Sequence, residues 1–152
     1  MTVAIPGRAE LRLDHLLLDV NGTLTNRGTV LDGVAERIGE LSELLEIHLV
    51  SADTFGTLDA IAGRLGVHAV RAASGDAKLV QLDQLGRAGC AVIGNGANDV
   101  LVLEAAALGI AVIGAEGASS AAIRSADVVC ASVHDALDLL LDDRTLVATL
   151  RS

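Results

Sequence analysis

The sequence predicts an α/β domain in which helices cover both faces of a mostly parallel sheet. Three observations predict it. Short runs rich in Leu, Val and Ile recur along the chain, each followed by a longer segment with apolar residues at helical spacing. The short runs are apolar throughout rather than alternating, which suits strands buried on both faces, as in a parallel sheet. At 152 residues the chain has the length of one domain, and no repeat, low-complexity linker or second domain divides residues 1–152.

The elements follow in order. "TVAIPG" and then "ELRL" read as a small edge strand or hairpin. His15–Asp19 is the first core strand, an apolar run closed by one carboxylate. "DGVAERIGELSELLE" places Val34, Ile38, Leu41 and Leu45 on one helical face. Ile47–Ser51 is the next strand, and the helix "TFGTLDAIAGRLG" stops at Gly66. Asp53 and Thr54 read as caps for that helix. Val67–Arg71 precedes the helix "GDAKLVQLDQLGRAG", and Ala91–Gly94 precedes "ANDVLVLEAAALG", with Asn98 and Asp99 in its first turn. Ile110–Ile113, "GASSAAIRSA", Val128–Cys130 and the helical segment "SVHDALDLLLDDRTLVATLRS" close the chain. Six β–α units in succession argue for a single Rossmann-like three-layer domain with right-handed crossovers.

Composition narrows the function. Hydrophobic residues are 51% of the chain and Phe55 is the one aromatic, so the core is built from Leu, Val, Ile and Ala. The formal net charge is −9 and Lys and Arg form no cluster, which argues against nucleic acid and anionic membranes as partners. Charged residues at 20% sit slightly below the usual share, a lean toward a homo-oligomer. Cys90 and Cys130 lie in apolar runs and read as buried reduced thiols. No signal peptide or membrane-length apolar stretch is visible, so a cytoplasmic protein is expected. His15, His48, His68 and His134 are scattered without metal-ligand spacing and read as structural or surface residues.

In folds of this class the ligand sits beyond the carboxyl ends of the strands. Asp19 and Asn21 follow the first strand, Ser51 and Asp53 the second, and Asn95, Asn98 and Asp99 the fourth. Lys78 stands on the helix after the third. A strand-end carboxylate can attack phosphorus, and catalysis of phosphoryl transfer is mostly positioning and charge neutralisation. Gly22 and Thr23 supply a turn whose N–H groups can face an anion. Ser51 supplies a hydroxyl, Lys78 a positive charge, and Asp19 with Asp99 oxygen donors for a hard cation such as Mg²⁺. "GNGAND" lacks the third glycine of a dinucleotide loop.

Together these residues carry a resemblance. "DVNGTLT" resembles the DxDGTxT signature of the haloacid-dehalogenase-like (HAD) phosphohydrolases, and also the DKTGTLT signature of P-type ATPases. "VSAD", Lys78 in "GDAKLVQL" and "IGNGANDVLVLEAAALGIAV" are similar to the second, third and fourth HAD motifs, in the right order. The nearest subgroup by resemblance is the soluble P-type ATPase-like proteins. The resemblance implies a Mg²⁺-dependent phosphatase with Asp19 as nucleophile. It implies Asn21 at the acid/base position, with its backbone carbonyl on the metal. Gly22, Thr23, Ser51 and Lys78 would bind phosphate, and Asp19, Asn21, Asn95 and Asp99 would hold the metal. The substrate would be a phosphorylated small molecule or macromolecule.

Two departures matter. Asn21 stands where phosphatases carry a second Asp, and an amide transfers no proton; general acid/base help is worth roughly 10²–10⁴-fold, so slow turnover is expected. Asn95 stands where most members carry a metal-binding Asp, which weakens the metal site. No cap domain fits between the motifs, so the site should be open, or covered by a neighbouring subunit. No nucleotide-binding insertion fits either, which argues against ATPase activity. The alternative is a degenerate relative that binds phosphate or a phosphorylated partner without turnover.

Overall fold

The computed structural model describes residues 1–151. β1 (Thr2–Val3) and β2 (Leu11–Arg12) pair antiparallel, so the N-terminal hairpin is present. β3 (His15–Asp19) enters the central sheet and is followed by a two-stranded hairpin, β4 (Thr25–Asn26) and β5 (Thr29–Val30). The chain then alternates: α1 (Val34–Ser42), β6 (Glu46–Ser51), α2 (Leu58–Leu65), β7 (His68–Arg71), α3 (Gly75–Leu85), β8 (Cys90–Gly94). It continues through α4 (Val100–Ala105), β9 (Leu108–Val112), α5 (Ser120–Ser125), β10 (Val128–Cys130), α6 (Val133–Leu141) and α7 (Asp143–Leu150).

The six-stranded sheet has the order β10-β9-β8-β3-β6-β7, with every neighbouring pair parallel. β3 is central, and the strand order reverses beside it. That reversal opens a crevice at the carboxyl end of β3, where Asp19 stands. Alternation along the strands feeds two cores. Leu16, Leu18, Ile47, Leu49 and Ile93 pack with residues of α1, α6 and α7. Leu17, Val50 and Val92 pack with Leu82, Val102 and Ala122 of α3, α4 and α5. Uninterrupted apolar strands are what a sheet covered on both sides requires.

Several helix boundaries differ from the sequence expectation: α3 ends at Leu85 and α4 at Ala105, before the glycines expected to close them. Residues 43–46 of the expected helix lie outside α1, which ends at Ser42, and Glu46 N–H donates to Asp14 C=O at 2.8 Å and joins the sheet. The C-terminal segment is two helices rather than one. Asp142 takes an extended conformation and its carboxylate accepts from Arg144 N–H, capping α7. Asp53 caps α2 as expected, accepting from Leu58 N–H at 2.9 Å, whereas the residue at the cap position is Thr57 and not Thr54. Cys90 and Cys130 are free and buried. Among the described residues no helix is long and apolar enough to cross a membrane.

Candidate active site

The site is assembled from four strand exits. The pleat of β3 puts Asp19 on the same face as Leu17, toward α3. Ser74 starts α3 by accepting from Ala77 N–H, and the first turn then carries Lys78 into the crevice, where it is 2% exposed. Its Nζ donates to Asp19 Oδ1 and to Asp99 Oδ1, both at 2.6 Å. Asp99 is itself buried, and its Oδ2 accepts from the N–H groups of Asn95 (3.0 Å) and Gly96 (2.8 Å). One carboxylate thus pins the lysine and folds the loop leaving β8. Gly94 has to be glycine there, since a Cβ would lie 2.6 Å from Asp99 Cγ.

The charges do not balance. Two buried carboxylates face one ammonium. Burial, and then repulsion from Asp99, push the Asp19 carboxyl up to about 6, against the opposing pull of Lys78. Burial alone would lower Lys78, but attraction to Asp19 and Asp99 outweighs it and holds the ammonium charged. An excess buried negative charge with oxygen donors around it suits a hard divalent cation.

The turn after β3 is closed by Leu24 and Thr25, whose N–H groups both donate to Val20 C=O at 3.0 Å. Gly22 has φ +77°, and a Cβ there would lie 2.7 Å from Glu116 Oε2 and 2.8 Å from Asn95 Nδ2. Thr23 Oγ1 donates to Asn95 Oδ1 at 3.3 Å, and Asn95 Nδ2 donates to Gly117 C=O at 3.1 Å. Asn21 Nδ2 donates to Ser51 Oγ at 3.3 Å, and Ser51 Oγ also accepts from Asp53 N–H. Asp19, Lys78 and Asp99 form one linked group, which the Asp99 bonds extend to Asn95 and so to Thr23. Asn21 and Ser51 form a second pair beside it. The side chain of Asn95 ties the Thr23 turn to the loop after β9.

Glu116 was not singled out by the sequence. It lies on that loop, between Gly114 and Gly117, both at positive φ. The signal was there: an acidic residue between glycines just beyond a strand's carboxyl end. A cleft of about 180 Å³ opens beside the turn, lined by Gly22, Thr23, Leu31, Glu116, Ser132 and others, with no Lys or Arg among its lining residues. The reading of the histidines as scattered needs correction. His15, His48 and His68 gather around Glu46 at the opposite end of the strands.

The fold matches that of HAD hydrolases of known structure. The cobalt-bound deoxy-D-mannose-octulosonate 8-phosphate phosphatase (YrbI) of Haemophilus influenzae aligns over 93% of this chain and 94% of its own, with TM-score 0.73 and 16% identity. The 3-deoxy-D-manno-octulosonate 8-phosphate phosphatase of Moraxella catarrhalis, solved with magnesium, phosphate and KDO, aligns over 91% and 94%, with TM-score 0.67 and 18% identity. The catalytic domain of the CPx-ATPase CopB-B aligns over 75% of this chain and 46% of that one, with TM-score 0.64 and 19% identity. No family model matches the sequence. Two uncharacterized proteins of Methanocaldococcus jannaschii do. MJ0073 is 58% identical over 59 residues, 39% of this chain and 63% of that protein. The chain belongs to one family with MJ0072, to which it is 49% identical over 39 residues, 26% of this chain and 89% of that protein.

Proposed function

We propose that the protein is a Mg²⁺-dependent phosphoric monoester hydrolase working through an aspartyl-phosphate on Asp19. The observation that carries this reading is the buried Asp19–Lys78–Asp99 group at the point where strand order reverses. The phosphatase neighbours support it at the level of fold. A carboxylate oxygen of Asp19 attacks phosphorus, the bond to the leaving oxygen breaks, and the leaving oxygen takes its proton from solvent water, since Asn21 has none to give. Water then attacks phosphorus, releasing phosphate and restoring Asp19. Lys78 holds the nucleophile and neutralises charge in both steps. Gly22, Thr23 and Ser51 bind the phosphoryl oxygens. Asp19, the Asn21 carbonyl, Asn95 and Asp99 would hold Mg²⁺, which when bound screens the phosphoryl charge.

Asn21 gives the second step no local base, so the phosphoenzyme hydrolyses slowly. That is the logic of the P-type ATPase-like, capless subgroup. The cleft beside Gly22 takes the leaving group. With Glu116 and no basic residue on its walls, it favours an uncharged or cationic group over a sugar acid. An open site also suits a macromolecular substrate, or a neighbouring copy as cover in a homo-oligomer. Two buried free thiols support a cytoplasmic location.

Asn21 and Asn95, amides at positions where the resemblance expects acids, favour a second reading, phosphate binding without turnover. The test is Mg²⁺-dependent phosphate release from a panel of small phosphate esters by wild type, Asp19→Asn and Asn21→Asp. Slow release in wild type, none in Asp19→Asn and a 10-fold or greater rise in Asn21→Asp are expected. Silence in all three, with retained binding of a phosphate analogue, would favour the second reading.

A further inference from the structure

The amino ends of the strands carry a second cluster of donors, independent of the phosphatase reading. In the parallel register His15 of β3 lies beside Glu46 of β6, and His48 of β6 lies beside His68 of β7. Residues two apart on one strand share a face, so Glu46 and His48 project to the same side as His15 and His68. His15 Nδ1 and His48 Nε2 are 3.3 Å apart. Glu46 Oε2 is 3.5 Å from His15 Nδ1, and Glu46 Oε1 is 3.8 Å from His48 Nε2. A tetrahedral ion with bonds of about 2.0–2.1 Å has its donors about 3.3 Å apart. One ligand atom from each of His15, Glu46 and His48 can be chosen so that all three lie within 4.8 Å of one another, a small adjustment from such a polyhedron. His68 Nε2 meets Glu46 Oε1 at 3.0 Å, and its ring stacks on His48 with centroids 5.0 Å apart. It holds the carboxylate in place, as outer partners of metal ligands do.

We propose that His15, Glu46 and His48 form a binding site for one divalent transition-metal ion of the zinc class, with His68 positioning Glu46. Two imidazoles and one carboxylate select Zn²⁺, Co²⁺ or Ni²⁺ over Mg²⁺. The fourth position is left to water or a further ligand. The Glu46 side chain is 50% exposed and His48 9%, so the ion enters from solvent and reaches a partly buried donor. The site is separate from Asp19: three residues of β3 lie between His15 and Asp19, about 13 Å of strand. A bound ion crosslinks β3 to its neighbour β6.

The test uses chelator-stripped protein titrated with Zn²⁺ by calorimetry, in excess Mg²⁺ so that the Asp19 site does not contribute. One equivalent binding at micromolar affinity or tighter is expected, with a rise in melting temperature that Mg²⁺ does not give. Co²⁺ in its place should develop the intense visible absorption of a tetrahedral site. His15→Gln and Glu46→Gln, both at the solvent rim, should weaken Zn²⁺ at least tenfold with an unchanged far-UV circular dichroism spectrum. Asp19→Asn should leave Zn²⁺ binding as in wild type. No bound equivalent in wild type, or binding that both rim variants leave intact or that Asp19→Asn abolishes, overturns the proposal.

Discussion

Lys78 decides the electrostatics of the crevice. Among the described residues it is the one buried cation facing Asp19 and Asp99. Lys78→Met strands two carboxylates in the interior, and removing one partner of a buried ion pair costs about 3–5 kcal/mol. Denaturant unfolding at pH 7.5 should show that loss, with phosphatase activity gone as well. Asp19→Asn should behave in the opposite way on stability. The Asp19 carboxyl titrates near 6 in the fold and near 3.9 in an unfolded chain. Between those values the unfolded chain gives up a proton that the folded one keeps, so this group costs stability as pH rises from about 4 to 6. The cost reaches at most about 3 kcal/mol. Asp19→Asn should therefore be inactive yet more stable than wild type above pH 6 without metal, with the difference vanishing near pH 4. Gly22→Ala puts a Cβ against Glu116 and Asn95 at a positive φ. The backbone cost alone is about 1–2 kcal/mol, and activity should fall much further than melting temperature does.

At the level of elements, most of the fold was legible because period and length agree. Each core strand was visible as a short apolar run, and each bulky run feeds two cores. Leu18 illustrates the point: it is fully buried on the α1 side while its neighbour Leu17 serves the other layer. Leu18→Ala should cost about 2–5 kcal/mol in equilibrium unfolding. What the sequence hid was set by tertiary bonds. Glu46 fits the helical pattern of α1, but a hydrogen bond to Asp14 draws it into β6. Asp142 looks like another acid on an amphipathic helix until its carboxylate turns back to cap α7. The residues around Asp19, Ser51, Lys78 and Asp99 were readable because each follows a strand. Glu116 obeys the same rule but belongs to no motif. The histidine cluster was invisible because its members are 20 or more residues apart and meet only through strand register, apart from Glu46 and His48.

The whole molecule has two chemically different ends built on one sheet. The carboxyl end collects oxygen donors, one buried lysine and a glycine turn. The amino end collects imidazoles around a single carboxylate. Between them, β3 touches both, and the sheet order that places it centrally is what makes each cluster possible. If Asp19 is a nucleophile toward phosphorus and Asn21 slows release of the phosphoryl group, the aspartyl-phosphate should accumulate. The most direct measurement is to expose the protein to acetyl phosphate with Mg²⁺, quench in acid and weigh the intact chain and its peptides by mass spectrometry. A gain of one phosphoryl group, confined to the peptide containing Asp19, absent in Asp19→Asn and short-lived in Asn21→Asp, is predicted. An unmodified wild-type chain, or a phosphoryl group on another residue, would contradict it.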